Sequence, residues 1–134
     1  MRRRRPRAPT VESKRLAVIE EKTDDIYSIQ FVLQSLGFRT QSFSPRSSLA
    51  DLMGFRPDLI IVDMMISGGG GFRVIRQIRR AGNLDRVPIL AIGAAAMEGS
   101  SEEILAAGGQ EVVIKPYSMT ELREKLDRLV PKAK

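Results

Sequence analysis

The 134-residue chain has no cysteine, no histidine and no tryptophan, and only two tyrosines and five phenylalanines. Without cysteine there are no disulfides and no thiolate metal sites. Without histidine the usual general base and the commonest transition-metal ligand are missing, so any bound metal must be held by oxygen. No apolar stretch approaches the ~18 residues needed to cross a bilayer, and no apolar segment follows the N-terminal arginines, so the sequence predicts a cytoplasmic protein with neither a membrane span nor a secretory signal. The formal net charge is +6, but Arg2, Arg3, Arg4, Arg5 and Arg7 sit ahead of any apolar periodicity, and without them the chain is almost neutral. Pro6 and Pro9 break helix there and no apolar residue anchors the stretch, so residues 1–14 read as a basic disordered arm. Residues 15–130 have room for one domain around one core, and residues 131–134 form a short basic tail.

What is present is a set of short apolar runs, each ending in charge. Leu59-Ile60-Ile61-Val62 closes on Asp63, which opens into Met64-Met65-Ile66-Ser67-Gly68-Gly69-Gly70-Gly71. Leu16-Ala17-Val18-Ile19 is followed by Glu20-Glu21, and Val112-Val113-Ile114 by Lys115-Pro116. An α/β fold presents reactive groups in this way, at the carboxyl edge of a buried sheet.

The runs alternate with amphipathic segments, the pattern of a parallel sheet covered by helices on both faces. Strands are predicted at Leu16 to Glu20, Arg39 to Phe43, Leu59 to Asp63, Ile89 to Ile92 and Glu111 to Ile114. A first helix, capped by Asp24 or Asp25, carries Ile26, Ile29, Val32, Leu33 and Leu36 and stops at Gly37. A second spans Ser47 to Phe55. A third spans Gly71 to Ala81, with Phe72, Val74, Ile75 and Ile78 inward and Arg73, Arg76, Arg79 and Arg80 largely outward. A fourth spans Glu98 to Ala107, and a fifth runs from Met119 to Val130 with Ser118 or Thr120 as cap.

With the strand ends in place, residues 15–130 resemble the receiver domain of two-component response regulators. The resemblance implies a flavodoxin-like fold: a doubly wound five-stranded parallel sheet of order 2-1-3-4-5, flanked by five helices. Glu20 and Glu21 match that family's acidic pair, Asp63 its phosphoryl-accepting aspartate, and Lys115-Pro116 its Lys-Pro, usually a cis peptide. The resemblance implies Mg²⁺ held by Glu20, Glu21, Asp63 and the backbone carbonyl of Met65, with Lys115, Gly93 and Ala94 around the phosphoryl group. It implies a histidine kinase or phosphotransfer protein as donor, and a downstream protein met through the fourth helix, fifth strand and fifth helix. The expectation is a stand-alone receiver, not a classical enzyme.

The chemistry has its own logic. Mg²⁺ takes one or two carboxylates plus water and phosphate. Three carboxylates at ~4 Å spacing and an effective dielectric near 20 repel by about 4 kcal/mol per pair, which favours loading a cation. Lys115 offers a point charge to phosphate oxygens, and Asp63 is the nucleophile that would form an acyl phosphate.

Several positions depart from the family pattern. Gly93 stands where a Thr or Ser hydroxyl usually follows the fourth strand, and Val112 where a mobile aromatic usually sits. Glu21 replaces the usual aspartate and Ser67 the usual proline. These departures motivate a second reading, a degenerate receiver used as a phosphorylation-independent binding module, in which Asp63 caps a helix and Lys115 is its structural ion-pair partner. For Glu20 and Glu21 the plainer alternative is a solvated acidic loop beside Asp24 and Asp25. The glycine run lacks the Lys-Ser/Thr of a P-loop. The arginines of the third helix read as a solvated face, and the N-terminal arm as the candidate for contact with nucleic acid.

Overall fold

Leu59-Ile60-Ile61-Val62-Asp63 is buried at every position, which requires a strand with neighbours on both edges and cover on both faces. The computed structural model describes residues 13–21, 23–94, 97 and 100–130, the side chains of residues 23–27 excepted. In chain order the elements are β1 (Arg15–Ile19), α1 (Thr23–Ser35), β2 (Arg39–Phe43), α2 (Leu49–Phe55), β3 (Leu59–Asp63), α3 (Gly70–Arg80), β4 (Ile89–Ala94), α4 (Ser101–Ala107), β5 (Glu111–Lys115) and α5 (Met119–Leu129). A 3-10 turn, Ser67–Gly69, leads into α3. All strand pairs are parallel and the order is β2-β1-β3-β4-β5, as the apolar runs and the resemblance together predicted.

Alternate residues of β1, β3, β4 and β5 feed two cores. Ala17, Ile19, Ile60, Val62 and Ala91 pack with Leu52 of α2, Val74, Ile75 and Ile78 of α3, and Ile104 of α4. On the other face Leu16, Val18, Leu59, Ile61, Leu90 and Val113 meet Ile29 and Leu33 of α1 and Leu122 and Leu126 of α5. Each fully buried Leu or Ile contributes about 1.5–3 kcal/mol, so the sheet is held from both sides.

Several element ends differ from expectation. The first helix begins at Thr23, which places Asp24 and Asp25 inside its first turn instead of ahead of it. The Ser48 hydroxyl accepts from the Asp51 N–H at 3.1 Å and starts α2 later than Ser47. Ser118, not Thr120, caps α5, accepting from the Glu121 N–H at 3.0 Å. β4 continues to Ala94 because Gly93 and Ala94 pair with Ile114 and Lys115, and α4 starts only at Ser101. The arginine arm and the tail at 131–134 lie outside the described residues.

The ends at which the strands begin are tied by polar staples. The Arg15 N–H donates to Asp58 Oδ2 at 2.8 Å, and its guanidinium donates to the Phe55 carbonyl at 3.1 Å. At β5, Glu111 accepts from Lys125 at 3.1 Å and from Arg128 at 2.8 Å. Arg79 departs most from the reading of α3 as a solvated arginine face. Its side chain is half-buried and donates to the carbonyls of Gly108 at 2.9 Å and Leu84 at 2.7 Å, and to Gln110 Oε1 at 2.8 Å. Gln110 Oε1 also accepts the first N–H of β4, Ile89, at 2.6 Å. Burial pulls the Arg79 guanidinium below its ordinary value, partly opposed by Asp85. Arg79→Met keeps the stem and removes three donors, and urea unfolding is expected to register a loss of roughly 2 kcal/mol as acceptors are left unmet.

Candidate functional site

Because every strand runs the same way, the charged residues that end β1, β3 and β5 emerge at one edge. Val62 registers with Ile19, Asp63 with Ile92, and Ala94 with Lys115. This brings Glu20, which follows Ile19, beside Asp63, and sets Lys115 at the far side of the same edge. The backbone leaving β3 is fixed by the Met64 N–H, which donates to the Ile92 carbonyl at 2.8 Å.

Asp63 and Glu20 are the buried charged side chains among the described residues, 4% and 5% exposed. A carboxylate out of water needs donors or a cation. Asp63 Oδ1 accepts from the Met65 N–H at 2.9 Å, while Oδ2 accepts no hydrogen bond among the described residues. The aspartate is therefore anchored by one oxygen and presents the other. Glu20 is tied through its backbone N–H to the Phe43 carbonyl at 3.2 Å, and its Oε1 is a buried oxygen that accepts no hydrogen bond among the described residues. Glu20 and Lys115 both take part in non-covalent interactions. They also line one small cavity of about 50 Å³ with Ser28, Ile29, Ile92 and Tyr117. The Lys115-Pro116 peptide is cis.

Glu21 stands apart. It is exposed, and its Oε1 accepts from the Ser67 hydroxyl at 2.7 Å. Among the described residues, no three Asp or Glu side chains are grouped as a metal set. The expected trio is thus a buried pair, Glu20 and Asp63, with Glu21 held to one side. The donor chemistry is nevertheless that of a hard divalent cation: carboxylate oxygens, one of them uncommitted, beside the backbone carbonyls of the loop after β3.

Gly93 is buried at the end of β4. A Cβ there would lie 3.3 Å from Ile114 Cδ1 and 3.5 Å from Met97 Cβ, so neighbouring side chains crowd the space a hydroxyl residue would need. Ala94 is half-buried beside Lys115. Val112 is half-buried against the core that includes α3 and α4. Sequence reasoning missed the link between Ser67 and Glu21, and the places of Tyr117 and Ser28 around Lys115. Tyr117 carries the one usable signal, an aromatic directly after Lys115-Pro116 in a chain with few.

A buried aspartate ending the central strand of a 2-1-3-4-5 sheet, with an acidic neighbour on one side and a lysine followed by a cis proline on the other, is the plan of a receiver, a signalling module and not a classical enzyme. The chain belongs to the response regulator receiver domain family, whose model matches residues 16–127. It is 29% identical over 122 residues to the phosphate regulon transcriptional regulatory protein PhoB of Rhizobium meliloti, covering 90% of this chain and 53% of the relative. It is 25% identical over 107 residues to the polar-differentiation response regulator DivK of Brucella anthropi, covering 79% of this chain and 87% of that one. Among solved structures, the receiver domain of the sensor histidine kinase PA1611 of Pseudomonas aeruginosa superposes with a TM-score of 0.77 at 28% identity, covering 90% of this chain and 99% of that one. That structure has a magnesium ion coordinated in its active-site cleft. The chain spans about half the length of the first curated relatives it matches.

Proposed function

We propose that the chain receives a phosphoryl group on Asp63 from a histidine kinase or phosphotransfer protein and passes the signal by protein contact. The observation that carries this reading is Asp63 itself, 4% exposed, with Oδ1 fixed by the Met65 N–H at 2.9 Å and Oδ2 uncommitted. A carboxylate oriented by one oxygen is a preorganised nucleophile for in-line attack through the other. Attack by Oδ2 on phosphorus forms the acyl phosphate as the bond from phosphorus to the donor nitrogen breaks. Mg²⁺, where bound, would offset the charge on the phosphoryl oxygens. Glu20, Glu21, Asp63 and the Met65 carbonyl would hold it. Lys115 supplies the second cationic contact, and the backbone near Gly93 and Ala94 supplies donors to a phosphoryl oxygen. The output face is that of α4, β5 and α5, where Leu105 is 54% and Met119 48% exposed. The arm of Arg2, Arg3, Arg4, Arg5 and Arg7 is a candidate contact for nucleic acid, tested by the salt slope of DNA affinity with residues 1–7 removed.

One observation favours the second reading, a binding module indifferent to phosphorylation: Gly93 has no hydroxyl, and Ile114 and Met97 stand where one would move. The two readings part in a titration of the chain with Mg²⁺ and beryllofluoride, followed by amide NMR shifts. A phosphoryl-accepting receiver gives saturable shifts at Glu21, Asp63 and Met65 that extend into α4 and β5. The constitutive module gives none beyond the site, and its partner affinity is unmoved by Asp63→Asn.

A further inference from the structure

We propose that Ser67 is a positioning residue for Glu21 in cation binding; this rests on the phosphoryl-acceptor function proposed above. The two residues lie 46 positions apart, in the loop after β1 and the loop after β3, and are joined by the 2.7 Å bond from the Ser67 hydroxyl to Glu21 Oε1. At that length it is a charge-assisted bond. It takes one carboxylate oxygen and orients Oε2.

Three features that look like separate losses in the sequence belong to this one contact. Glu21 is one methylene longer than the aspartate usual in the family and has more rotamer freedom to lose on binding a metal. The Ser67 hydroxyl restrains that freedom before the cation arrives, which a proline at that position cannot do because it has no side-chain donor. The glycines then make the serine's position attainable. Ile66 is buried and fixes the chain just before Ser67, while Gly68 at φ 65° and Gly69 at φ 70° carry the turn through the left-handed region that glycine enters freely. The Gly70 N–H closes the turn on the Ser67 carbonyl. Serine, glycines and the long acid thus form one compensated set: the carboxylate reaches from farther away and is steadied from the facing loop.

The test is an Mg²⁺ titration of the full chain, read by amide shifts at Asp63 and Met65, with five forms: parent, Ser67→Ala, Ser67→Thr, Glu21→Asp, and the double variant Glu21→Asp with Ser67→Ala. Loss of an outer-shell partner to a metal ligand weakens metal affinity by about 10–100-fold, and that range is expected for Ser67→Ala. Ser67→Thr, which keeps the hydroxyl, recovers most of the affinity. In the Glu21→Asp background, removing the hydroxyl changes affinity less than threefold, since the shorter acid no longer uses the tether. Ser67 and Glu21 are exposed, and cation-free amide spectra of the variants report whether the fold is kept. Unchanged affinity in Ser67→Ala overturns the proposal, and so does tighter binding, which would make the contact a lock that withholds Glu21. A parent chain that does not respond to Mg²⁺ at all overturns the phosphoryl-acceptor reading first and this inference with it; a responding parent with indifferent Ser67 variants overturns this inference alone.

Discussion

Incubation with a small acyl phosphate donor and Mg²⁺ is expected to add the mass of one phosphoryl group to the intact chain, and Asp63→Ala to remove that gain completely. The expectation follows from position more than from residue type. The chain has many carboxylates, but Asp63 is buried at the strand edge with one oxygen fixed and the other uncommitted. Glu20, equally buried, leaves β1 on a backbone tied to Phe43, and its proposed part is to hold the cation, not to accept the phosphoryl group. The product is stable in acid and cleaved by hydroxylamine, as an acyl phosphate is. Lys115→Ala is expected to retain the acceptor and slow the gain by at least an order of magnitude, because a preorganised cation at the developing charge is worth about 3 kcal/mol. A mass gain that survives Asp63→Ala, or no gain in the parent, removes Asp63 from the role.

Two glycine-to-alanine changes are expected to move stability in opposite directions. At Gly71 an added Cβ would lie 2.8 Å from Met64 Cα, 2.9 Å from Met64 Sδ and 3.1 Å from the Asp63 carbonyl. Two of those atoms are backbone, so the start of α3 must move away from the loop that carries Asp63. Overpacking of this kind costs about 1–3 kcal/mol, and Gly71→Ala should fall in the upper half of that range and blunt the phosphoryl gain as well. Gly54, in α2, has nothing within 4 Å of a built Cβ, and its φ lies outside the left-handed region. Gly54→Ala should stabilise by about 0.5–1 kcal/mol, because a helical glycine gives up more backbone freedom on folding than alanine does. Urea midpoints at constant slope check both; equal effects would mean that the contact at Met64 relaxes without cost.

The inner strands β1, β3 and β4 were legible because they are buried on both faces and so are written as unbroken apolar runs. Leu59 to Asp63 needed no further information, and β2, with the polar run Arg39-Thr40-Gln41-Ser42, was legible only from its place between two helical segments. Strand ends and helix starts were harder. Whether β4 stops at Ile92 or continues through Gly93 and Ala94 is decided by pairing with β5, and the neighbour is absent from local sequence. Arg79 illustrates the same limit: its helical phase puts it with Arg76 and Arg80, but the carbonyls it caps belong to chain near Leu84 and Gly108. At the site, the residue types at the strand ends pointed to Asp63, Glu20 and Lys115. Sequence spacing could not separate Glu21 from them, because the partner of its carboxylate is a hydroxyl 46 positions later.

The parallel course of all five strands gives the molecule two unlike ends, and selection can act on them almost independently. The end where strands start carries Arg15, Arg79, Gln110 and Glu111, each bonded across elements, and it secures the fold. The opposite end carries the carboxylates and Lys115. Substitutions well separated in space add nearly independently, so residues at the reactive end, such as Gly93 and Ser67, can be exchanged without loosening the staples at the other. A lineage can thus rewrite how such a domain responds while its architecture stays fixed.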